Sequence, residues 1–342
     1  MKISIAMATY NGEKYLHEQL DSFLAQTRQP DELVVCDDGS SDATVEILRQ
    51  FAADAPFEVR IHVNERNLGY SDNFLKAAKL CEGDWIAFCD QDDVWLPNKL
   101  KSAADAIEQG PGLTMVLQNA ELCDGRLNRH GRVFPNKIRP GFYGPNSQYG
   151  FWVWQGFLQT ISSKLFKNID CSSRPLNYLP VDPVQSHDKW TCVIANAIGG
   201  IVVLGEPVAL YRRHEAAITG NHSPYSLKNQ IYIAKSVGWE DYLLYAKSAK
   251  SHERYFLEIA GRTPVAGWGD KLEASAKAFS RFSYLQYKRS SLYKSSRFLS
   301  RLSNYLKIWR YGGYVGPKFV AMGGRSALKD AFQVVTGRKV RD

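Results

Sequence analysis

The chain has no pair of cysteines in a CxxC arrangement, no unbroken run of about 18 apolar residues, and no Gly-x-Gly-x-x-Gly after its first apolar segment. Each absence excludes a class. Six cysteines, at positions 36, 81, 89, 123, 171 and 192, are scattered along 342 residues. That spacing suggests neither a disulfide framework nor a zinc site, and favours a reducing cytosol. The missing apolar run rules out a membrane-spanning helix by composition, and the first 30 residues lack the blocks of a secretory leader. Without the glycine fingerprint, a nicotinamide oxidoreductase is disfavoured. A nucleotidyltransferase would need a Gly-rich, Arg/Lys-containing loop at the same place, and that is absent too. No internal repeat is visible.

Acid is scarce at one end. Residues 271–342 hold 16 Lys or Arg and only three acids, Glu273, Asp330 and Asp342, a net charge of +13. With +8 overall, the other 270 residues sum to −5. Such asymmetry implies an anionic partner for the tail: a membrane surface, nucleic acid or an acidic polymer.

What is present begins as an alternation of strands and helices. Apolar runs at 3–8, 32–36, 59–63, 85–89 and 113–118 read as strands. Helical periodicity fills 13–26, 43–52, 71–81 and 97–109 between them. This pattern predicts an α/β fold with right-handed βαβ units and a mostly parallel sheet. Residues 124–150, with five Gly and three Pro, read as a long loop. Helix and strand resume over 151–211, 224–310 is largely helical in pattern, and the basic end after Gly312-Gly313 reads as less ordered.

The most informative segment is Asp90-Gln91-Asp92-Asp93, at the end of the apolar run 85–89. Three carboxylates crowded at a strand end repel one another unless a cation neutralises them. An all-oxygen donor set suits a hard ion such as Mg²⁺ or Mn²⁺, which takes the rest of its shell from water and phosphate oxygens. At the carboxyl edge of a parallel sheet this reads as a metal–diphosphate site. The bland alternative is an acidic turn capping the next helix. Thr9, Tyr10, Asn11 and Gly12 leave the first strand, and Asp37 and Asp38 leave the second, so both can reach a nucleoside in the crevice or simply form turns.

Taken together, Ala8-Thr9-Tyr10-Asn11-Gly12, Cys36-Asp37-Asp38-Gly39-Ser40-Ser41-Asp42, Arg66-Asn67-Leu68-Gly69 and Asp90-Gln91-Asp92-Asp93 resemble the GT-A fold glycosyltransferases of family 2 over residues 1–220. Ser186-His187-Asp188-Lys189-Trp190 and Tyr211-Arg212-Arg213-His214 are similar to motifs of its bacterial rhamnosyltransferase-like group, departing at Lys189, where that group more often has an aromatic. The resemblance implies an inverting, metal-dependent sugar transfer. The donor would be a pyrimidine nucleotide sugar, dTDP-rhamnose or a UDP-hexose, and the acceptor a lipid-linked oligosaccharide of cell-surface polysaccharide synthesis. It implies donor contacts from Thr9, Tyr10, Asn11, Arg66, Asn67, Gly69, Asp90, Gln91 and Asp92, with either Asp37 or Asp38 on the base. Mn²⁺ or Mg²⁺ would be held by Asp92 or Asp93 and His214. Asp188 is the implied catalytic base, although local sequence alone reads Ser186-His187-Asp188 as a helix start. Trp152, Trp154 and His187 are expected at the acceptor, the tryptophans being as suited to a core.

The expected organisation is a catalytic domain over 1–222, with a donor and metal half at 1–120 and an acceptor half at 121–222, then a helical basic region over 223–342. In that region Phe282, Tyr293, Phe298, Trp309 and Tyr314 interleave with Arg281, Arg289, Arg297, Lys307 and Arg310. Cationic, aromatic-rich helices favour anionic membrane surfaces. The expectation is therefore a cytoplasmic protein, peripheral on the inner face of the membrane; a solvated helical bundle is the alternative. Nucleic acid is not expected as a partner, because three clustered aspartates repel phosphodiesters. A catalytically inactive glycan- or membrane-binding protein on the same scaffold is the rival function.

Overall fold

The computed structural model describes residues 1–134, 139–178, 183–213 and 237–337. Its centre is a sheet of ten strands: β1 (Ile3–Thr9), β2 (Glu32–Asp37), β3 (Glu58–Val63), β4 (Trp85–Cys89), β5 (Val94–Trp95), β6 (Met115–Cys123), β7 (Arg129–Phe134), β8 (Gly141–Tyr143), β9 (Gln159–Ser162) and β10 (Ile201–Arg212). The order runs β3-β2-β1-β4-β9-β6-β10-β5, with β7 on β6 and β8 on β10. β3, β2, β1 and β4 are mutually parallel, as are β6 and β10. β9 runs antiparallel between β4 and β6. Strands β2 and β4 are buried throughout, which is why they read as continuous apolar runs rather than as alternations.

Helices α1 (Glu13–Leu24), α2 (Thr44–Asp54), α3 (Tyr70–Leu80) and α4 (Lys99–Gln109) make the crossovers. Each buries an apolar stripe such as Leu16, Leu20 and Phe23 of α1. After β1 the chain passes to β2 and β3 on one side, and then to β4 on the other. The carboxyl ends of β1, β2 and β4 therefore flank the crevice where such a sheet reverses its order.

The stretch expected to be a long loop contains two strands, β7 and β8, each pairing with a neighbour. Glycine and proline density concealed these short edge strands. After the brief α5 (Lys164–Asn168) comes α6 (His187–Ile198), nearly all of it buried.

Among the described residues that follow, four helices are seen: α7 (Trp239–Ala260), α8 (Trp268–Lys294), α9 (Phe298–Arg310) and α10 (Gly323–Thr336). The last occupies the end expected to be less ordered. Among the described residues no helix is long and apolar enough to cross a membrane. Much of the aromatic content of this region is core. Phe279 and Phe282 are fully buried. Phe279 stacks on His252 with ring centroids 4.5 Å apart and meets Phe151 at 5.8 Å. Trp190 of α6 donates to the Tyr255 hydroxyl of α7 at 2.9 Å. Buried Asp330 on α10 accepts from Arg289 (3.0 and 2.9 Å), Tyr293 (2.8 Å) and Tyr314 (2.7 Å). That carboxylate offsets a buried guanidinium and satisfies two phenols, so α8 and α10 are locked together. Of the aromatics read from the sequence as an interfacial set, Phe282, Tyr293 and Tyr314 are instead buried, because α8 packs inward.

Candidate functional site

A cavity of about 1040 Å³ opens at the carboxyl edge of the sheet. Thr9 and Asp37 face each other in the β1–β2 register, and the Thr9 hydroxyl donates to Asp37 Oδ1 at 2.8 Å. Asp37 is fully buried; its Oδ2 accepts the backbone N–H groups of Gly39 and Ser40 at 3.1 and 2.8 Å. This carboxylate holds the turn and does not line the cavity. Asp38 does line it. Asp38 accepts from Asn64 Nδ2, Leu68 N and Gly69 N, each at 2.8 Å, which leaves one Oδ2 position facing the cavity side. Asn67 donates to the Asp38 carbonyl at 3.1 Å and lines the cavity, whereas Arg66 is exposed and outside the lining. Gly69, also outside it, begins α3 at φ 80°, a left-handed conformation that glycine adopts without strain.

Gln91 ties the acidic turn to the first loop. Its Oε1 accepts the Tyr10 N–H at 2.8 Å and its Nε2 donates to the Tyr10 carbonyl at 3.1 Å. A Cβ at position 12 would lie 2.4 Å from Gln91 Oε1, so Gly12 is the residue that lets this clasp close. Thr9, Tyr10, Asn11, Asp90, Gln91 and Asp92 all line the cavity.

Carboxylate oxygens of Asp90, Asp92 and Asp93 come within 4.8 Å of one another. Burial raises the Asp90 carboxyl to about 8, helped by the negative charges of Asp92 and Asp188. Asp93, buried behind the cavity wall, is pushed far up by burial and by Asp92 and Asp90. Its Oδ1 accepts the Arg212 backbone N–H at 3.0 Å, while its buried Oδ2 has no hydrogen-bond donor. An orphaned, buried carboxylate oxygen beside two more carboxylates is a donor set that a hard divalent cation fits.

Two cations brace this cluster. Buried Arg212 closes β10 over it, donating from Nε to the Asp92 carbonyl at 2.8 Å and from Nη1 to Gly125 O at 2.9 Å. Its guanidinium pairs with Glu18 and sits 4.3 Å from the Tyr15 ring centroid. Lys99 lies fully buried beneath, 2.8 Å from the Phe157 carbonyl, and burial lowers its ammonium to about 8.

The pH consequence has a definite sign. An Asp90 that titrates near 8 when folded and near 3.8 when unfolded makes the folded state the better proton binder in that window. Stability without metal therefore falls as pH rises from about 5 to 8, by up to about 1.4 kcal/mol per pH unit for each proton held. Lys99, lowered to about 8, acts above this window. Thermal unfolding in EDTA should show the decline, and Mn²⁺ should raise the midpoint more at pH 8 than at pH 5, because cation and proton compete. A flat profile with a pH-independent metal response would rule the arrangement out.

His187 and Asp188, at the first turn of α6, also line the cavity. Ser186, at the N-cap position, donates its hydroxyl to Asp188 Oδ1, which also accepts the Lys189 N–H at 2.8 Å. The Asp188 charge reaches Asp90, so the two carboxylates share one electrostatic environment. His187 stacks on Phe74 at 4.2 Å and meets Phe88 edge-on at 5.0 Å. Burial lowers its imidazole to about 4, against the pull of Asp188, and neither buried ring nitrogen has a protein partner. Gly156 makes room for it, since a Cβ there would lie 2.4 Å from Nε2.

The tryptophans lie elsewhere. Trp154 is buried, its indole N–H donating to Gln118 O at 2.8 Å, and Trp152 packs on it edge-on at 6.0 Å. Neither lines the cavity, which corrects their expected place at an acceptor; the chain reaches the wall one residue later, at Gln155, Gly156 and Phe157. Lys14, Tyr15, Tyr70, Asn73, Phe74, Tyr211, Arg212 and Arg213 line it as well. Sequence signalled only the last three, through the Tyr-Arg-x-His motif. His214 lies outside the described residues.

Residues 4–166 match the family described as Glycosyl transferase family 2. An uncharacterized protein of Mycobacterium tuberculosis is 30% identical over 241 residues, 69% of this chain and 65% of that protein. The chain thus spans somewhat less than two thirds of that relative's length. A UDP-Glc:alpha-D-GlcNAc-diphosphoundecaprenol beta-1,3-glucosyltransferase of Escherichia coli is 37% identical over 136 residues, 40% of this chain and 52% of the relative. A dTDP-rhamnosyl transferase of Shigella flexneri is 36% identical over 105 residues, 30% of this chain and 36% of the relative. Among solved structures, residues 1–349 of S. aureus TarS in complex with UDP superpose with a TM-score of 0.53 at 19% identity, covering 91% of this chain and 92% of that one. At that identity the likeness is one of fold.

Proposed function

We propose that the chain, whose residues 4–166 match glycosyl transferase family 2 and whose fold is α/β and GT-A-like, is an inverting, metal-dependent glycosyltransferase. Its donor is a pyrimidine nucleotide sugar, a UDP-hexose or dTDP-rhamnose, and its acceptor a lipid-linked oligosaccharide of cell-surface polysaccharide synthesis. The observation that carries the reading is the cluster of Asp90, Asp92 and Asp93, of which Asp90 and Asp92 line the same cavity as Asp188. The relatives named for UDP-glucose and dTDP-rhamnose chemistry support the donor class, and the E. coli relative's diphosphoundecaprenol-linked acceptor supports the acceptor class. Catalysis is assigned to residues 1–222, with the donor bound by 1–120 and the acceptor by 121–222.

In this reading Asp38 accepts the imide N–H of the pyrimidine at its remaining Oδ2 position, and Thr9, Tyr10, Asn11 and Asn67 surround base and ribose. Asp90 holds the ribose, and Asp92 with Asp93 holds the cation, which when bound offsets the charge of the leaving diphosphate. Asp188 accepts the proton of the acceptor hydroxyl as that oxygen attacks the anomeric carbon from the face opposite the diphosphate. His187, neutral and partnerless, orients a sugar hydroxyl as donor or acceptor. The rival reading, an inactive glycan- or membrane-binding scaffold, leaves these paired carboxylates without a task.

Thermal-shift binding of UDP, dTDP, GDP and NAD, each with Mn²⁺ or EDTA, tests the proposal. Stabilisation by UDP or dTDP that requires Mn²⁺ is the expected result. No nucleotide response, or one indifferent to metal, would favour the inactive scaffold.

A further inference from the structure

Among the described residues, α9 and α10 carry a concentration of exposed apolar side chains. On α9, Phe298, Leu299, Leu306 and Trp309 are 50%, 76%, 56% and 43% exposed. At 100° per residue they fall within one arc of the helix, while Arg301 and Ile308 point inward. On α10, Leu328, Phe332 and Val335 are 75%, 60% and 73% exposed and recur at i, i+4 and i+7, opposite buried Ala327, Asp330 and Val334. The two helices are joined, since Arg301 Nε donates to the Val334 carbonyl at 3.0 Å. Stripes of this size on adjacent helices exceed the scattered exposed apolars of an ordinary surface.

Charge decides what covers them. Between 297 and 337 the sequence has seven Lys or Arg and a single acid, Asp330. That acid is fully buried on Arg289, Tyr293 and Tyr314, so α9 and α10 present no exposed carboxylate of their own; the acid that reaches α10 from a neighbouring helix is Asp241 of α7, beside Lys329. Arg310 borders the α9 arc and Arg325 the α10 stripe, and both are exposed. A second copy of the chain would bring two cationic faces together. Nucleic acid would satisfy the cations but leave leucine, phenylalanine and valine in water. A lipid bilayer with anionic headgroups satisfies both, taking the apolar stripes below the headgroups and the guanidinium groups among them. Trp309 suits the boundary, where an amphipathic ring is favoured.

We infer that the exposed faces of α9 and α10 form a peripheral docking surface for anionic membrane. The inference rests on this surface and does not require the donor reading. Phe279, Phe282 and Tyr293 of α8 are core and take no part.

The test is flotation of the full chain with vesicles of phosphatidylglycerol and phosphatidylethanolamine and, separately, of phosphatidylcholine alone. Binding to the anionic vesicles, weak on phosphatidylcholine and reduced by high salt, is expected. Leu328→Glu with Phe332→Glu, and Arg310→Glu with Arg325→Glu, should each lower the bound fraction by about tenfold or more. All these positions are exposed, so folding should persist, checked by an unchanged unfolding midpoint and unchanged nucleotide response. Equal binding of wild type and both variants overturns the proposal. So does absence of wild-type binding, or a wild-type dimer that Leu328→Glu disperses. Loss of vesicle binding with nucleotide binding intact separates this surface from the donor site.

Discussion

Asp188→Asn should leave donor binding intact and reduce sugar transfer by about 10²–10⁴-fold, the range of a lost general base. The amide keeps the shape of the carboxylate, and its oxygen still accepts from the Ser186 hydroxyl and the Lys189 N–H, so the first turn of α6 stays in place. What disappears is proton affinity on the cavity side. The substitution also removes one of the charges that hold Asp90 protonated, so cation binding near neutral pH is preserved or strengthened. Transfer to acceptor and nucleotide thermal shift, measured on the same preparation, separate the outcomes. If the variant loses nucleotide binding, Asp188 belongs to the donor site or the scaffold and the base lies elsewhere.

Asp92→Ala should abolish the Mn²⁺-dependent stabilisation by UDP or dTDP, worth about 2.7 kcal/mol when ligand is present at a hundred times its dissociation constant. Asp92 lines the cavity, and its charge is a cause of the raised carboxyls at both Asp90 and Asp93. Its removal relieves that repulsion, so the fold without metal persists while the cation loses a ligand. Function falling without a matching loss of stability is the signature of a binding residue rather than a structural one. Full metal-dependent nucleotide binding in the variant would refute the assignment of the cation to this cluster.

The site was legible where chemistry is compressed into short segments. Asp90-Gln91-Asp92-Asp93 announces itself because carboxylates seldom crowd a buried strand end without a cation. The Asp37 and Asp38 pair was visible but not separable, since which side chain faces in depends on the turn that Gly39, Ser40 and Gly69 build around them. Trp152 and Trp154 misled because an aromatic near a site looks the same in a sequence whether it stacks on sugar or fills a core. Lys99 was opaque, and the burial of Arg212 equally so, for a related reason: a buried cation and a solvated one have the same letter, and only long-range contacts distinguish them.

By itself the sequence determined the alternation of strands and helices, the parallel half of the sheet, the acidic turn and the basic end. These rest on local periodicity and on residue types that few backbone positions tolerate. Tertiary structure alone decided three things. β10 brings Arg212 to Asp93 across more than a hundred residues. α6 brings Asp188 into the cavity lined by Asp90 and Asp92. α8 turns Phe279, Phe282 and Tyr293 into the core while Phe298 and Trp309 of α9 and Phe332 of α10 stay outside. All three depend on pairings between distant segments, and a helix's own periodicity shows that it has an apolar face but not what that face meets.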